Sequence, residues 1–146
     1  MVVGLPRLTR DVAVLALRDG VSPTRAVLSQ ARYLTLPTNS PQPGLAVLLA
    51  AVAAETHAKR ALRLCLPSAR ALKTLQDQAG TALALYGEIA LQVIGRSLEV
   101  EEPVVWGELA QLFTARNKMA HHLATPAHLD ARRMVVAAMQ AMDWLA

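Results

Sequence analysis

The stretch that decides the fold is residues 45–66, LAVLLAAVAAETHAKRALRLCL. Alanine and leucine dominate it, and both residues favour an α-helix. Pro67 follows at once, and a proline inside a helix removes a hydrogen bond and clashes with the preceding turn. The stretch therefore predicts one long helix that stops at Pro67.

The same composition extends over the whole chain. The 146 residues include 27 alanines and 24 leucines but only five aromatic residues. Long alternations of β-branched and aromatic residues, which favour strands, are missing. This argues against a sandwich, a barrel or a parallel α/β sheet. The length is that of one domain with a sizeable core, and the sequence predicts an all-α helical bundle.

Helix starts and breakers predict the order of the elements. Residues 35–44, TLPTNSPQPG, contain three prolines and no charge, which is typical of a linker. Before the linker we predict one helix from Thr9 to about residue 18 and a second that Ser22-Pro23 opens. After the 45–66 helix, three more are expected: residues 68–98 with a break near Gly80, a helix that the acidic cluster at 99–103 starts, and a last helix opened by Thr125-Pro126. Together these predict an N-terminal helical extension with its linker (1–43) and an antiparallel four-helix bundle (44–146).

Charge and cysteine usage narrow the class of protein. The formal net charge is +4, a mildly basic balance that tolerates an anionic partner. A lone cysteine, Cys65, excludes an internal disulfide and any cysteine-based zinc site. The longest apolar run, residues 44–54, ends at Glu55 and is too short to cross a membrane. We expect a cytoplasmic protein with no metal, no cofactor and no membrane partner.

The segment whose side chains are suited to catalysis is residues 106–123, WGELAQLFTARNKMAHHL. Arg116 borders the predicted apolar stripe of its helix, so its guanidinium needs a carboxylate, a carbonyl or a phosphate as partner. Asn117 and His121 are four positions apart and share a face if the helix continues. A guanidinium that stabilises phosphoryl charge and an imidazole that moves protons are the groups that RNA cleavage by the 2′-hydroxyl requires. The structural alternative is that Arg116 forms a salt bridge and that His121 and His122 lie on a solvated helix end.

In this segment the chain resembles the HEPN superfamily, whose pattern is Arg, four to six residues, then His, with a polar residue after the Arg. The upstream pair Glu55 and Lys59, one helical turn apart, also occurs in several HEPN groups. The resemblance covers about residues 45–146. It implies a metal-independent endoribonuclease that acts as a homodimer with a composite active site, as toxins and phage-defence effectors of this superfamily do.

The resemblance assigns the site residues. Arg116, Asn117 and His121 would be catalytic, and His122 and Glu55 would support them. Basic side chains near both segments would contact the RNA backbone: Lys59, Arg60, Arg63 and Lys118. An antitoxin or another regulatory protein is a further partner that the resemblance allows. The position two after His121 is Leu123 rather than the tyrosine of HEPN toxins paired with nucleotidyltransferase antitoxins, which argues against that kind of regulation. The alternative function is a catalytically silent module for dimerisation and for binding a protein or nucleotide.

Overall fold

A computed structural model describes residues 22–36, 42–122 and 124–146, and these residues are helical with no strand among them. The predicted all-α bundle is therefore confirmed. The predicted helix from Thr9 to residue 18, residues 37–41 of the proline-rich linker and Leu123 lie outside the described residues. No helix among those described combines the length and the apolar character needed to cross a membrane.

The helices are numbered here in chain order. They are α1 (Pro23–Tyr33), α2 (Pro43–Leu64), α3 (Ala69–Ala79), a 3-10 helix (Leu83–Tyr86), α4 (Glu88–Ile94), α5 (Leu98–Glu101), α6 (Pro103–His122) and α7 (His128–Trp144).

The start of α1 follows the sequence signals, whereas α2 begins two residues earlier than predicted. The Ser22 hydroxyl accepts a hydrogen bond from the Arg25 amide at 3.3 Å, and Pro23 occupies the first helical position. Both features were predicted. The predicted linker is two residues too long, because Pro43 and Gly44 belong to the first turn of α2. Proline is tolerated in that turn, where its missing N–H would have no partner in the helix.

The predicted helix over residues 68–98 is wrong as a single element. Its start is confirmed, since the Ser68 hydroxyl caps the Ala71 amide at 3.2 Å. The predicted break occurs at Gly80, whose φ of 77° ends α3. Gly95, with a φ of 72°, ends α4 in the same way. Because this left-handed conformation strains any residue with a side chain, the two glycines divide the stretch into short helices.

The last two long helices form a hairpin. Arg133 of α7 donates to the Glu108 carboxylate of α6 at 2.8 Å, and Trp144 donates to Glu101 at 3.2 Å. Because Glu101 lies just before α6 and pairs with the end of α7, these contacts show that α6 and α7 are antiparallel. The prediction that the acidic cluster starts α6 is wrong, since Glu99 and Glu101 belong to the separate short helix α5. The predicted start of α7 at Thr125-Pro126 is wrong, because the helix begins at His128. The imidazole of His128 hydrogen-bonds to the Thr35 carbonyl at 2.6 Å, a tertiary contact that local sequence does not reveal.

One apolar core joins these helices. Alanines on α2, among them Ala46, Ala50 and Ala54, are fully buried and let the neighbouring helices approach closely. The apolar spacing of the last helix predicts five inward-facing residues, and all five are buried: Met134, Val135, Ala138, Met142 and Leu145. On α6 the i, i+4, i+7, i+8 spacing of Val105, Leu109, Leu112 and Phe113 predicts one apolar stripe. The last three of these residues are buried and Val105 is partly buried.

Helix α1 falls in the segment predicted as an N-terminal extension, yet Leu28, Ala31 and Leu34 belong to this same core. An ion pair of 2.6 Å joins Arg25 of α1 to Asp143 near the end of α7. The antiparallel four-helix detail of the HEPN resemblance stays a prediction.

The glycines of the α4–α6 region support a prediction about stability. A Cβ at Gly87 would lie 2.6 Å from Cη2 of Trp106, whereas one at Gly107 would have no neighbour within 4 Å. We therefore expect Gly87→Ala to lower the free energy of unfolding by about 1–3 kcal/mol through overpacking. Gly107→Ala, in the interior of α6, should raise it by about 0.5–1 kcal/mol. Urea unfolding followed by circular dichroism measures both changes, and equal effects of the two substitutions would contradict the packing described.

Candidate functional site

The residues that the sequence singles out lie on the last two turns of α6. The helix continues to His122, so Asn117 and His121 are one turn apart on the same face, as predicted. Asn117, His121 and His122 are all exposed. Their side chains are therefore open to a ligand or to another protein surface.

Arg116 is held against the body of the bundle. Its side chain is 25% exposed, and its guanidinium lies 5.1 Å from the centre of the Phe113 ring, a cation–π arrangement. Nη1 lies 3.9 Å from a carboxylate oxygen of Glu55. Nε and Nη2 each lie 3.4 Å from the Asn117 side-chain oxygen. These polar contacts are longer than the 2.7–2.9 Å of a strong charged hydrogen bond, so a phosphate could replace them at small cost.

Glu55 links α2 to the motif on α6. One of its carboxylate oxygens is 3.8 Å from Nζ of Lys59, which confirms the predicted contact one turn apart, and the other faces Arg116. The Glu55 side chain is 28% exposed, so this carboxylate is partly shielded from water. The structure thus brings together two segments that lie 61 positions apart in the sequence.

His121 lies away from Arg116 on the same helix. Five residues of α-helix correspond to a rotation of about 140° and a rise of about 7.5 Å. The guanidinium faces α2, and the imidazole projects from the last turn toward solvent. Within one protomer the two groups therefore project from different sides of α6.

A groove adjoins Arg116 and Asn117. It has a volume of about 360 Å³ and lies between α6 and the loop that follows α3, with Thr81 and Leu83 on one wall and Ala110 and Thr114 on the other. No local feature of the sequence connects this loop with the motif. The available signal was Gly80, whose break turns the chain back toward α6.

The four candidate RNA-binding residues do not form one continuous patch. Lys59 faces Glu55, and Arg60 is exposed on the same helix. Arg63 instead donates to the Leu66 carbonyl at 3.0 Å and so caps the end of α2. Lys118 is exposed on α6 and lines a different groove, described below.

His57 is a half-buried titratable group outside this site. Its Nε2 is buried without a hydrogen-bond partner among the described residues. Burial lowers the pKa of His57, and the cations Arg25 and Arg60 lower it further, while the Met142 carbonyl and Asp143 oppose them. The neutral imidazole is the form that this position favours.

The lowered pKa of His57 predicts a pH dependence of stability. The unfolded chain takes up a proton near the ordinary histidine pKa of about 6.5, whereas the folded chain takes it up only at lower pH. The unfolded state therefore gains stability as the pH falls below about 6.5. We expect the melting temperature to fall between pH 7 and pH 5, and to fall less in the His57→Leu variant. Parallel profiles of the two proteins would exclude His57 as the cause.

Taken together, the last two turns of α6 present a guanidinium, an amide and an imidazole, and the middle of α2 adds a partly shielded carboxylate beside the guanidinium. Groups of these types bind a phosphate and transfer protons. Among the described residues no three histidine, cysteine or acidic side chains lie close enough together to hold a metal ion. No protein-family model, curated protein or solved structure matches this chain.

Proposed function

We propose that this chain is a metal-independent endoribonuclease of the HEPN type, which acts as a homodimer with a composite active site. The observation that carries the proposal is the contact of Arg116 with Glu55, which also faces Lys59. The resemblance pairs these same two segments, and nothing in their sequence separation requires them to meet. Their juxtaposition supports a common site.

Arg116 is the proposed phosphate ligand. Its loose contacts with Glu55 and Asn117, at 3.9 and 3.4 Å, hold the guanidinium in place without occupying its best hydrogen-bonding geometry. An RNA phosphate that accepts hydrogen bonds from two N–H groups of the guanidinium would form shorter, bidentate bonds. Glu55 and Asn117 then act as positioning residues for Arg116.

His121 is the proposed proton-transfer group. In the reaction, the RNA 2′-oxygen forms a bond to phosphorus and the bond from phosphorus to the 5′-oxygen breaks. One imidazole accepts the proton of the 2′-hydroxyl, and a second donates a proton to the leaving 5′-oxygen. The products are a 2′,3′-cyclic phosphate and a 5′-hydroxyl.

The need for two imidazoles favours a dimer. His121 is exposed at the end of α6, so a twofold-related copy can place its own His121 over the same phosphate. His122, the next residue, is also exposed and is the reserve candidate for this role. Dimerisation through this end of α6 would complete a site that one protomer leaves open.

The first experiment tests the reaction itself. Purified protein is incubated with single-stranded RNA in EDTA, and the product ends are identified by their reactivity with a kinase that phosphorylates 5′-hydroxyls. We expect cleavage that EDTA does not reduce and products with 5′-hydroxyl ends. Absence of cleavage, or cleavage that EDTA abolishes, would contradict the proposal.

A toxin or defence effector in the cytoplasm is the cellular role that we propose for this activity. Induced expression of the wild-type chain in bacteria should then arrest growth and degrade RNA, and the His121→Ala variant should do neither. Equal arrest by both proteins, at equal expression, would show that the toxicity does not depend on the site.

A second candidate function is a catalytically silent HEPN-like module that dimerises and binds a protein or nucleotide. The contacts of Arg116 within its own chain favour it, because Phe113, Glu55 and Asn117 together give the guanidinium a structural role. If the protein forms dimers but does not cleave RNA in EDTA, this result would support the silent module over the nuclease.

A further inference from the structure

A second groove lies on the other flank of α6, between this helix and α7. Its volume is about 400 Å³, similar to that of the groove beside Arg116. Polar side chains from both helices line it, and Ala115 and Met134 contribute apolar surface. The polar lining includes Gln111, Thr114, Lys118, Asp130 and Arg133.

The helical register connects this groove with the motif. Thr114, Lys118 and His122 follow one another at intervals of four residues along one edge of α6, and His121 lies three positions after Lys118. Thr114 lines both grooves, so the exposed ridge of α6 separates them. Followed toward its C-terminal end, this ridge leads to the two histidines.

The charges of the groove are arranged along its length. Arg133 closes the side away from the α6–α7 connection, because it donates to Glu108 at 2.8 Å and to Asp130 at 3.1 Å. The exposed Lys118 lies nearer the histidines and forms no ion pair with any described residue. The groove therefore offers a cation at the motif end and a polar and apolar interior beside it, a combination typical of small-ligand sites.

We propose that this groove is the subsite for the nucleotide next to the scissile phosphate, with the base inside the groove and the phosphate at Lys118. The proposal rests on the proposed function, since it assumes RNA as the substrate. A single-stranded RNA would then cross the exposed ridge of α6, so that the phosphate at the ridge lies near Asn117 and His121. The proposal names unpaired nucleotides as the substrate, because a base in a duplex is not available to enter a groove.

Nucleotide titrations test the subsite without requiring catalysis. The four nucleoside 3′-monophosphates are added to the ¹⁵N-labelled protein, and amide shifts are followed by NMR. We expect saturable shifts at Gln111, Lys118 and Ala124, which line the groove. Lys118→Glu should raise the Kd by about tenfold or more through loss of the charged phosphate contact. Lys73→Glu, the same charge change at an exposed lysine of α3, should leave it within about twofold.

The outcomes separate this proposal from the proposed function. Saturable binding in the groove by a protein that does not cleave RNA would support a nucleotide site in this groove and contradict the nuclease. Cleavage with shifts confined to the groove beside Arg116 would support the nuclease and overturn the subsite. Equal weakening by Lys118→Glu and Lys73→Glu would also overturn it, because binding would then depend on net charge alone.

Discussion

Replacement of His121 by alanine is expected to lower the rate of RNA cleavage by about 10²–10⁴-fold, the usual contribution of a general acid or base. In the proposed dimer the substitution removes both proton-transfer groups at once. His121 is exposed on the last turn of α6, so its removal should leave the unfolding midpoint unchanged. Single-turnover cleavage of a labelled RNA, with and without EDTA, measures the rate. Gln78→Ala, at an exposed position of α3, is the matched control and should cleave like the wild type.

If two protomers share one active site, the same substitution should also lower the activity of wild-type protein that is mixed with the variant. When excess His121→Ala protein is mixed with the wild type, exchange of protomers produces mixed dimers with only one imidazole. The rate per wild-type chain should then fall as the variant is added. A constant rate would show that each protomer works alone, and loss of activity in His122→Ala but not in His121→Ala would assign the proton transfer to His122.

Local sequence was sufficient for most of the helices but not for all of their ends. The serine caps at Ser22 and Ser68 and the apolar stripes of α6 and α7 are local features, and the structure confirms them. The start of α7 at His128 coincides instead with a hydrogen bond from this residue to Thr35, 93 positions away in the chain. Gly80 and Gly95 divide residues 68–98, and only the first break was predicted, because a glycine within a helix pattern does not reveal whether it takes a positive φ.

In the candidate site, too, some features follow from local sequence and others from the packing of distant helices. The shared face of Asn117 and His121 follows from helix geometry alone. The approach of Glu55 to Arg116 follows from the packing of α2 against α6, and the sequence only suggested it through resemblance. The grooves on either side of α6 were not predicted, because their walls come from the loop after α3 and from α7.

Replacement of Arg116 is expected to lower the cleavage rate by about 10²–10³-fold, the effect typical of removing one group that stabilises charge in the transition state. Arg116→Lys should restore little of this rate, since an ammonium lacks the planar fork that binds a phosphate bidentately. The two variants distinguish a phosphate ligand from a structural residue. If Arg116 mainly served packing against Phe113 and pairing with Glu55, lysine would recover much of the wild-type rate and alanine would lower the unfolding midpoint.

Glu55→Gln completes this test, because it removes the charge that faces Arg116 while keeping the shape of the side chain. A positioning role predicts a smaller loss than that of Arg116→Ala, since the guanidinium keeps its contacts with Asn117 and Phe113. It also predicts that Glu55→Gln adds almost nothing to the loss already caused by Arg116→Ala, because residues that act through one another are not additive. If the losses in cleavage rate were fully additive in the double variant, Glu55 would act independently of Arg116. The contact that supports the proposed site would then have no part in catalysis.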